Sequence, residues 1–459
     1  MVVLSLAALS REFYATSTFR PQDTEPAYVA DGPLSGGQYV HYPDEIYATD
    51  WAAKVPLADR LDLGRLHKAC MRFKDSIVPW NIGSGRIPVE RAVINESDPS
   101  LLTRLKQCAD VDIFVPGGLR GNGYCEDAAA YTKYLRARIL PQWVKSLQVF
   151  DPAAGRTVGY HDLCPKTPMI FFNHYWEDIP DDPSWPTNKH MVLMPNLEMH
   201  ELQAEHYWRP DFVLCKTAYG NPRQTKVVYT RHTSTDISSI TRAALPADEI
   251  APKNFQNLSI IHTAGTSIQK GSMHVFDCWL GRPDLPPIDI YMAQPLFEEW
   301  FKKKYSARLE KAANVRLHLG KMDAIAFGHL IAESSVFVCS SLQEGYGHYI
   351  NQARASGGLV LTPDVPPMNE LITPSSGVLI EARGVGNEHQ FFGGQGKHPL
   401  AVRNVTGFIA RFGGNQVCKA VDTVLAELTV EERTSRAGRA QQQYFFDTVY
   451  FARSMEELK

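Results

Sequence analysis

Glu344-Gly345-Tyr346-Gly347-His348 and Gln352, eight positions beyond Glu344, lie between an apolar run at 336–339 and the turn Gly357-Gly358. The run reads as a strand and the residues from 348 as a helix, so a carboxylate and unhindered amides meet at a helix N-terminus. Such an end carries partial positive charge and unpaired N–H donors, which suits a phosphate or a cluster of sugar hydroxyls. Gly345 and Gly347 have no Cβ and admit a ligand close to the backbone. Glu344 is fitted to accept several charge-assisted hydrogen bonds from hydroxyls. A second group, Gly265-Thr266-Ser267 followed by Lys270-Gly271, comes directly after the apolar run 258–262. A lysine there is fitted to hold an anion, with the Thr266 and Ser267 hydroxyls and loop amides sharing it.

The first half offers weaker chemistry. Pro116-Gly117-Gly118-Leu119-Arg120-Gly121-Asn122-Gly123 follows the strand-like 111–115. It fails as a P-loop because Tyr124-Cys125 stands where Lys-Ser/Thr is required, and as a dinucleotide fingerprint because Glu126 occupies the last glycine position. Gly117, Gly118 and Arg120 read instead as a cleft-facing loop, since ligands collect beyond strand ends. His174, in Phe172-Asn173-His174-Tyr175, also follows an apolar strand, and Asn196, Glu198 and His200 compete for the same role. Arg231, His232 and Asp236 fall near the middle of the chain, where they would meet a diphosphate or bridge two domains. Asp110-Val111-Asp112 fits a three-residue metal pattern, but no H-E-x-x-H or paired Cys/His cluster accompanies it, and no catalytic metal is expected.

Short apolar runs alternate with helical patterns from residue 111 to 229 and again from 258 to 380, the signature of βαβ units and parallel sheets. Between them, 238–255 shifts to Pro, Ala, Asp and Lys and reads as a linker. The expected division is an N-terminal domain at 1–245 with an irregular extension, a second domain at 246–435, and a terminal helix at 436–459.

The segment from Glu344 to Gln352 resembles the E-x7-E motif of retaining GT-B glycosyltransferases, the group of glycogen synthases, sucrose-phosphate synthases and bacterial mannosyltransferases. The order of Asn314 to Gly320, 324–333, 336–341, Gly357 to Pro363 and Asn369-Glu370-Leu371-Ile372 is similar to that family too, and the likeness covers about 258 to the C-terminus. It implies an α/β fold of two Rossmann-like doubly wound domains facing across a cleft, the first on the acceptor side and the second nucleotide-sugar-binding, with the terminal helix crossing back. It also implies transfer of a hexose-type sugar from a nucleotide-diphosphate sugar to an acceptor hydroxyl, by front-face displacement without a side-chain nucleophile. The acceptor class, whether glycan, lipid, protein or small molecule, is left open. By resemblance Glu344 contacts the sugar, Lys270 the diphosphate and His174 the sugar from the other domain. Gly265, Thr266, Ser267, Gly345, Tyr346, Gly347, His348 and Gln352 would line the donor site. Gln352 stands where the family has a ribose-binding glutamate, and Gly265 where it commonly has an arginine. Both departures fall on donor-holding positions, so a degenerate nucleotide-sugar-binding or interaction protein and a nucleotide-sugar epimerase are the alternatives. No cofactor beyond the donor substrate and no metal are implied.

The 459 residues are 44% hydrophobic and 21% charged, with a net charge of -3, as in ordinary globular proteins. Nothing in that balance favours nucleic acid or an anionic membrane. No apolar run reaches the ~20 residues of a spanning helix. Val2 to Leu9 is short and lacks a preceding basic region, so it reads as a strand or buried helix and not as a secretory signal. The eight cysteines are scattered, without C-x-x-C spacing and partly within apolar runs, which suggests reduced thiols and a cytoplasmic setting. Three N-x-S/T triplets, at Asn95, Asn257 and Asn404, are no more than chance supplies in a chain of this length.

Overall fold

The computed structural model describes residues 42–173, 179–196, 209–217, 226–385 and 409–458. Two sheets form its frame. The first comprises β1 (Val78–Pro79), β2 (Asp112–Phe114), β3 (Arg138–Leu140), β4 (Met169–Phe172), β5 (Met191–Met194), β6 (Phe212–Cys215) and β7 (Lys226–Tyr229). Their spatial order is β1-β3-β2-β4-β5-β6-β7, and every pairing is parallel except β1 with β3. Helices α1 (Leu57–Arg72), α2 (Asn122–Tyr134) and α3 (Ile237–Ala244) belong to this half or adjoin it.

The second sheet comprises β8 (Ile260–Gly265), β9 (Ile288–Met292), β10 (Val315–Leu319), β11 (Val336–Val338), β12 (Leu359–Pro363) and β13 (Val378–Ile380). Its order is β10-β9-β8-β11-β12-β13, parallel throughout. This is the 3-2-1-4-5-6 order of a doubly wound domain, in which ligands bind beyond the carboxyl ends of the strands where the order reverses. Here the reversal falls between β8 and β11. Its helices are α4 (Ser272–Gly281), α5 (Ala324–Glu333), α6 (His348–Ala355) and α7 (Gly414–Asp422).

The strands are apolar because both faces are covered, as parallel sheets require. Alternate residues feed opposite cores: Phe114, Phe171, Leu193 and Val213 pack on one face of the first sheet, and Ile113, Ile170, Val192 and Leu214 on the other. In the second sheet Ile260, Ile288, Val336 and Leu359 oppose Ile261, Phe337 and Val360.

The last helix, α8 (Val430–Leu458), runs 29 residues and joins the halves. Ala437 and Ala440 pack in the cores of the second sheet, whereas Phe451 and Met455 enter the first, beside Tyr131 and Cys125. Between these anchors, buried Asp447 accepts from Arg231 Nη1 at 2.8 Å, Arg354 Nη2 at 2.7 Å and Tyr42 Oη at 2.8 Å. Arg231 follows β7 and Arg354 lies on α6, so one carboxylate ties together both halves and the helix between them.

Six of the eight cysteines form disulfides, which corrects the expectation of reduced thiols. Cys70 of α1 pairs with Cys125 of α2, Cys108 with Cys164, and Cys278 of α4 with Cys418 of α7. The partners are 55, 56 and 140 residues apart, so only the packing of distant elements reveals them. Cys215 and Cys339 are free and buried. No described helix is long and apolar enough to cross a membrane.

Removing one member of a buried ion network leaves the other charges unpaired, at a cost of roughly 3–5 kcal/mol. Asp447→Ala is therefore expected to lower unfolding stability by about that amount in urea titrations monitored by circular dichroism.

Candidate active site

The loops after β8 and β11 meet at the reversal point of the second sheet. Lys270 Nζ lies 2.5 Å from Glu344 Oε1 and 4.0 Å from the centroid of the Tyr349 ring. Ser341 donates to the same Glu344 oxygen and is 2.6 Å from Tyr349 Oη. Burial pushes the Tyr349 phenol well above its ordinary range, so the hydroxyl stays protonated. The two loops are also stitched by the backbone, with Leu342 N donating to Gln269 O at 2.7 Å.

Two glycines make this approach feasible. Gly271 has φ +66°, and a Cβ there would sit 2.0 Å from the Ser340 carbonyl oxygen, which excludes any other residue. Gly347 has φ +96° and caps α6 without a side-chain hydrogen bond, as Gly271 does for α4. Two helix N-termini thus converge beside Lys270 with first-turn amides not taken by a capping side chain, a setting that favours an anion. Beneath them, His262 links β8 to Val338 O through Nδ1 at 2.7 Å and to Ser272 Oγ through Nε2 at 2.8 Å. Gly265 and Thr266 are exposed at the end of β8, and Ser267 accepts from Gln269 N to cap the short turn leading to Lys270.

From the first half, buried Asp127 on α2 faces the same crevice. Its Oδ2 pairs with Lys216 Nζ at 2.8 Å, and its Oδ1 lies 2.8 Å from His232 Nε2 and 3.1 Å from His348 Nε2. Asn196 completes the network through Lys216. Burial would raise the Asp127 carboxyl, but Lys216 and the two histidines overcome that and hold it well below the usual range. Burial brings the His232 ring down to about 4 against the opposing pull of Asp127. Arg231 and His232 both adopt positive φ, +59° and +55°. Such a conformation costs on the order of 1–3 kcal/mol per residue and persists only where partners over-determine it. Here Asp447 and Asp127 are those partners. Asp127, His232 and His348 bring three ligand-type atoms within 4.8 Å, the one such group among the described residues. Both Nε2 atoms are engaged with Asp127 Oδ1 and Lys216 takes the other oxygen, while Nδ1 of each histidine is buried without a hydrogen-bond partner among the described residues.

The sequence-derived site is therefore assembled only in part. Lys270 and Glu344 come together, with Ser267 capping the turn that carries Lys270 and Gly347 preceding α6. Tyr346 does not face a donor: its ring is buried, and its hydroxyl donates to His232 O at 3.0 Å across the interface. His348 reaches Asp127 of the other half, and Gln352 Nε2 lies 3.5 Å from Glu126 Oε1 on α2. Arg120 is corrected as well. It is fully buried and donates to the carbonyls of Val115, Phe73 and Ser76, which makes it a brace for the loop and removes it from the cleft. Gly117 and Gly118 sit in a short turn beyond β2, with Gly118 exposed. Asp112 is spent on Arg138 and Tyr160 inside the first core. His174, Glu198 and His200 lie outside the described residues. Sequence reasoning missed Lys216, whose position directly after the apolar β6 was the available signal.

No family model matches the sequence, and no curated protein matches it. Among solved structures, a glycosyltransferase from Rickettsia africae is 12% identical, covering 77% of this chain and 98% of its own with a TM-score of 0.50. Sucrose-phosphate synthase from Thermosynechococcus elongatus is also 12% identical, over 76% and 97%, with a TM-score of 0.48. HepE from Anabaena, in complex with UDP-glucose, is 13% identical over 76% and 98%, with a TM-score of 0.44. The class of fold is GT-B: two Rossmann-like sheets, with the loops of β8 and β11 opposed to those of the first sheet.

Burial holds His161, His232 and His262 each at about 4, below the ordinary 6.5. The folded protein keeps these rings neutral where the unfolded chain would protonate them, so their contribution is full above about pH 6.5 and drains away as pH falls toward 4. The thermal unfolding midpoint is expected to drop across that window, and His262→Asn to show a shallower drop, both read by scanning calorimetry.

Proposed function

We propose that this chain is a retaining glycosyltransferase that moves a hexose-type sugar from a nucleotide-diphosphate sugar to an acceptor hydroxyl. The observation that carries this reading is the Lys270–Glu344 pair, set between two uncapped helix ends at the reversal point of the second sheet. A nucleotide sugar would divide the pair, Lys270 passing to the diphosphate and Glu344 to the sugar hydroxyls. Each ion is already oriented by Tyr349 and Ser341, so little reorganisation accompanies that exchange.

In the reaction the bond from anomeric carbon to phosphate oxygen breaks while the acceptor oxygen bonds on the same face. The acceptor proton passes to the leaving phosphate. Lys270 and the amides of α4 and α6 oppose the charge that develops on that phosphate, and Glu344 fixes the sugar. The loop beyond β2 would form the opposite wall, where an acceptor would enter.

Glu344→Ala is expected to reduce transfer by about 10²–10³-fold or more while keeping the native circular-dichroism spectrum, measured with a panel of UDP-, GDP- and ADP-sugars. Near wild-type turnover would refute the assignment. Binding without turnover for every donor in the unmutated protein would favour a degenerate nucleotide-sugar-binding protein, and release of free nucleotide without transfer would point to an epimerase.

The contact between Gln352 and Glu126 reverses what the family motif suggests for a restored glutamate. Gln352→Glu would face one carboxylate with another, which raises the pKa of one and costs stability as pH rises through it. The variant is expected to gain no donor affinity by calorimetric titration, and to lose stability at about pH 7 relative to about pH 4.5.

A further inference from the structure

Two of the three N-x-S/T triplets fall within the described residues, and both present themselves alike. Asn95 and Ser97 are exposed in the irregular segment after Ile94, which bridges to Ile77 at the edge of the first sheet. The Asn95 Oδ1 accepts from Ser76 Oγ at 2.6 Å, so the amide oxygen is the anchored atom. Asn257 and Ser259 are exposed in the bend that enters β8. There the backbone N–H groups of Gln256 and Asn257 both donate to Asn254 Oδ1, at 2.9 and 2.7 Å. Asn257 lies at the amino end of β8, opposite the end that carries Lys270.

Exposed triplets alone are common. The second observation is independent of them: three disulfides close loops between elements distant in sequence, within both halves of the molecule. Disulfides of this structural kind form and persist in oxidising compartments, and asparagine-linked glycans are added to proteins of the same route. We infer that the chain matures in an oxidising secretory compartment and carries asparagine-linked glycans at Asn95 and Asn257. In that modification the asparagine Nδ2 bonds to the anomeric carbon of a lipid-diphosphate-linked oligosaccharide. The carbon–oxygen bond to the diphosphate breaks, one amide proton passes to a base, and the lipid diphosphate departs. Each disulfide forms as a dithiol passes its two electrons and two protons to the disulfide of an oxidoreductase. Neither position touches the Lys270–Glu344 crevice, so the modification is compatible with donor binding but does not depend on it.

The test uses the full chain purified from the cells that produce it. Treatment with an amidase that releases asparagine-linked glycans, in heavy-oxygen water, is expected to convert Asn95 and Asn257 to aspartates carrying the label, read by peptide mass spectrometry. Alkylation under denaturing, non-reducing conditions is expected to mark Cys215 and Cys339 alone. Asn95→Gln and Asn257→Gln should each remove one step of electrophoretic mobility shift. Recovery of both asparagines unmodified would overturn the site assignment, and alkylation of all eight cysteines would overturn the compartment.

Discussion

The arrangement of the whole molecule depends on one buried carboxylate. Asp447 lies where the terminal helix passes between the two sheets, and it is held by Arg231 from one half and Arg354 from the other. Burying three charges is expensive, and the return in stability is modest compared with an apolar contact of the same size. What the network supplies is geometry. Arg231 is held in a left-handed conformation, which sets the direction of His232. His232 meets Asp127, and Asp127 meets His348 at the first turn of α6. The contact of α6 with the first half therefore takes its position from an ion network that does not include Lys270 or Glu344.

The crevice between β8 and β11 follows a second constraint, that of close approach. A glycine at 271 lets one loop rest on the carbonyl of Ser340, and this contact brings Lys270 over Tyr349 and against Glu344. With the cation on the first loop and the carboxylate on the second, neither loop alone makes a site. Their pairing also spares each ion from facing a partly buried environment without a partner, which would be costly.

Much of the frame was readable because fully buried parallel strands must be apolar. Val336–Val338, Leu359–Pro363 and Met191–Met194 announce themselves as short hydrophobic runs between helices. Glu344 and Lys270 were legible for a related reason, since each comes just after such a run, where polar groups face a cleft. What escaped notice depends on long-range packing. Asp447 lies in a helix with no local pattern to distinguish it from a solvated acid. Arg120 appeared in a Gly-rich loop and was assigned to the cleft, whereas the carbonyls that it satisfies belong to segments up to 47 residues away. Tyr346 looked like part of a ligand-binding turn, but the other half of the molecule claims its ring. The disulfide partners leave no signature in spacing at all.

The terminal helix, seated in the cores of both halves, limits how the cleft can open. A continuous rod anchored at each end resists sliding, because its side chains would have to leave two packed interiors together. Rotation about the point where it crosses between the sheets is cheaper, and Asp447 marks that point. His348 with Asp127, and Gln352 with Glu126, cross the same junction from the helix that carries Arg354. The E-x7-E-like segment thus spans the junction: its glutamate meets Lys270 within the second half, and its helical end meets α2 of the first.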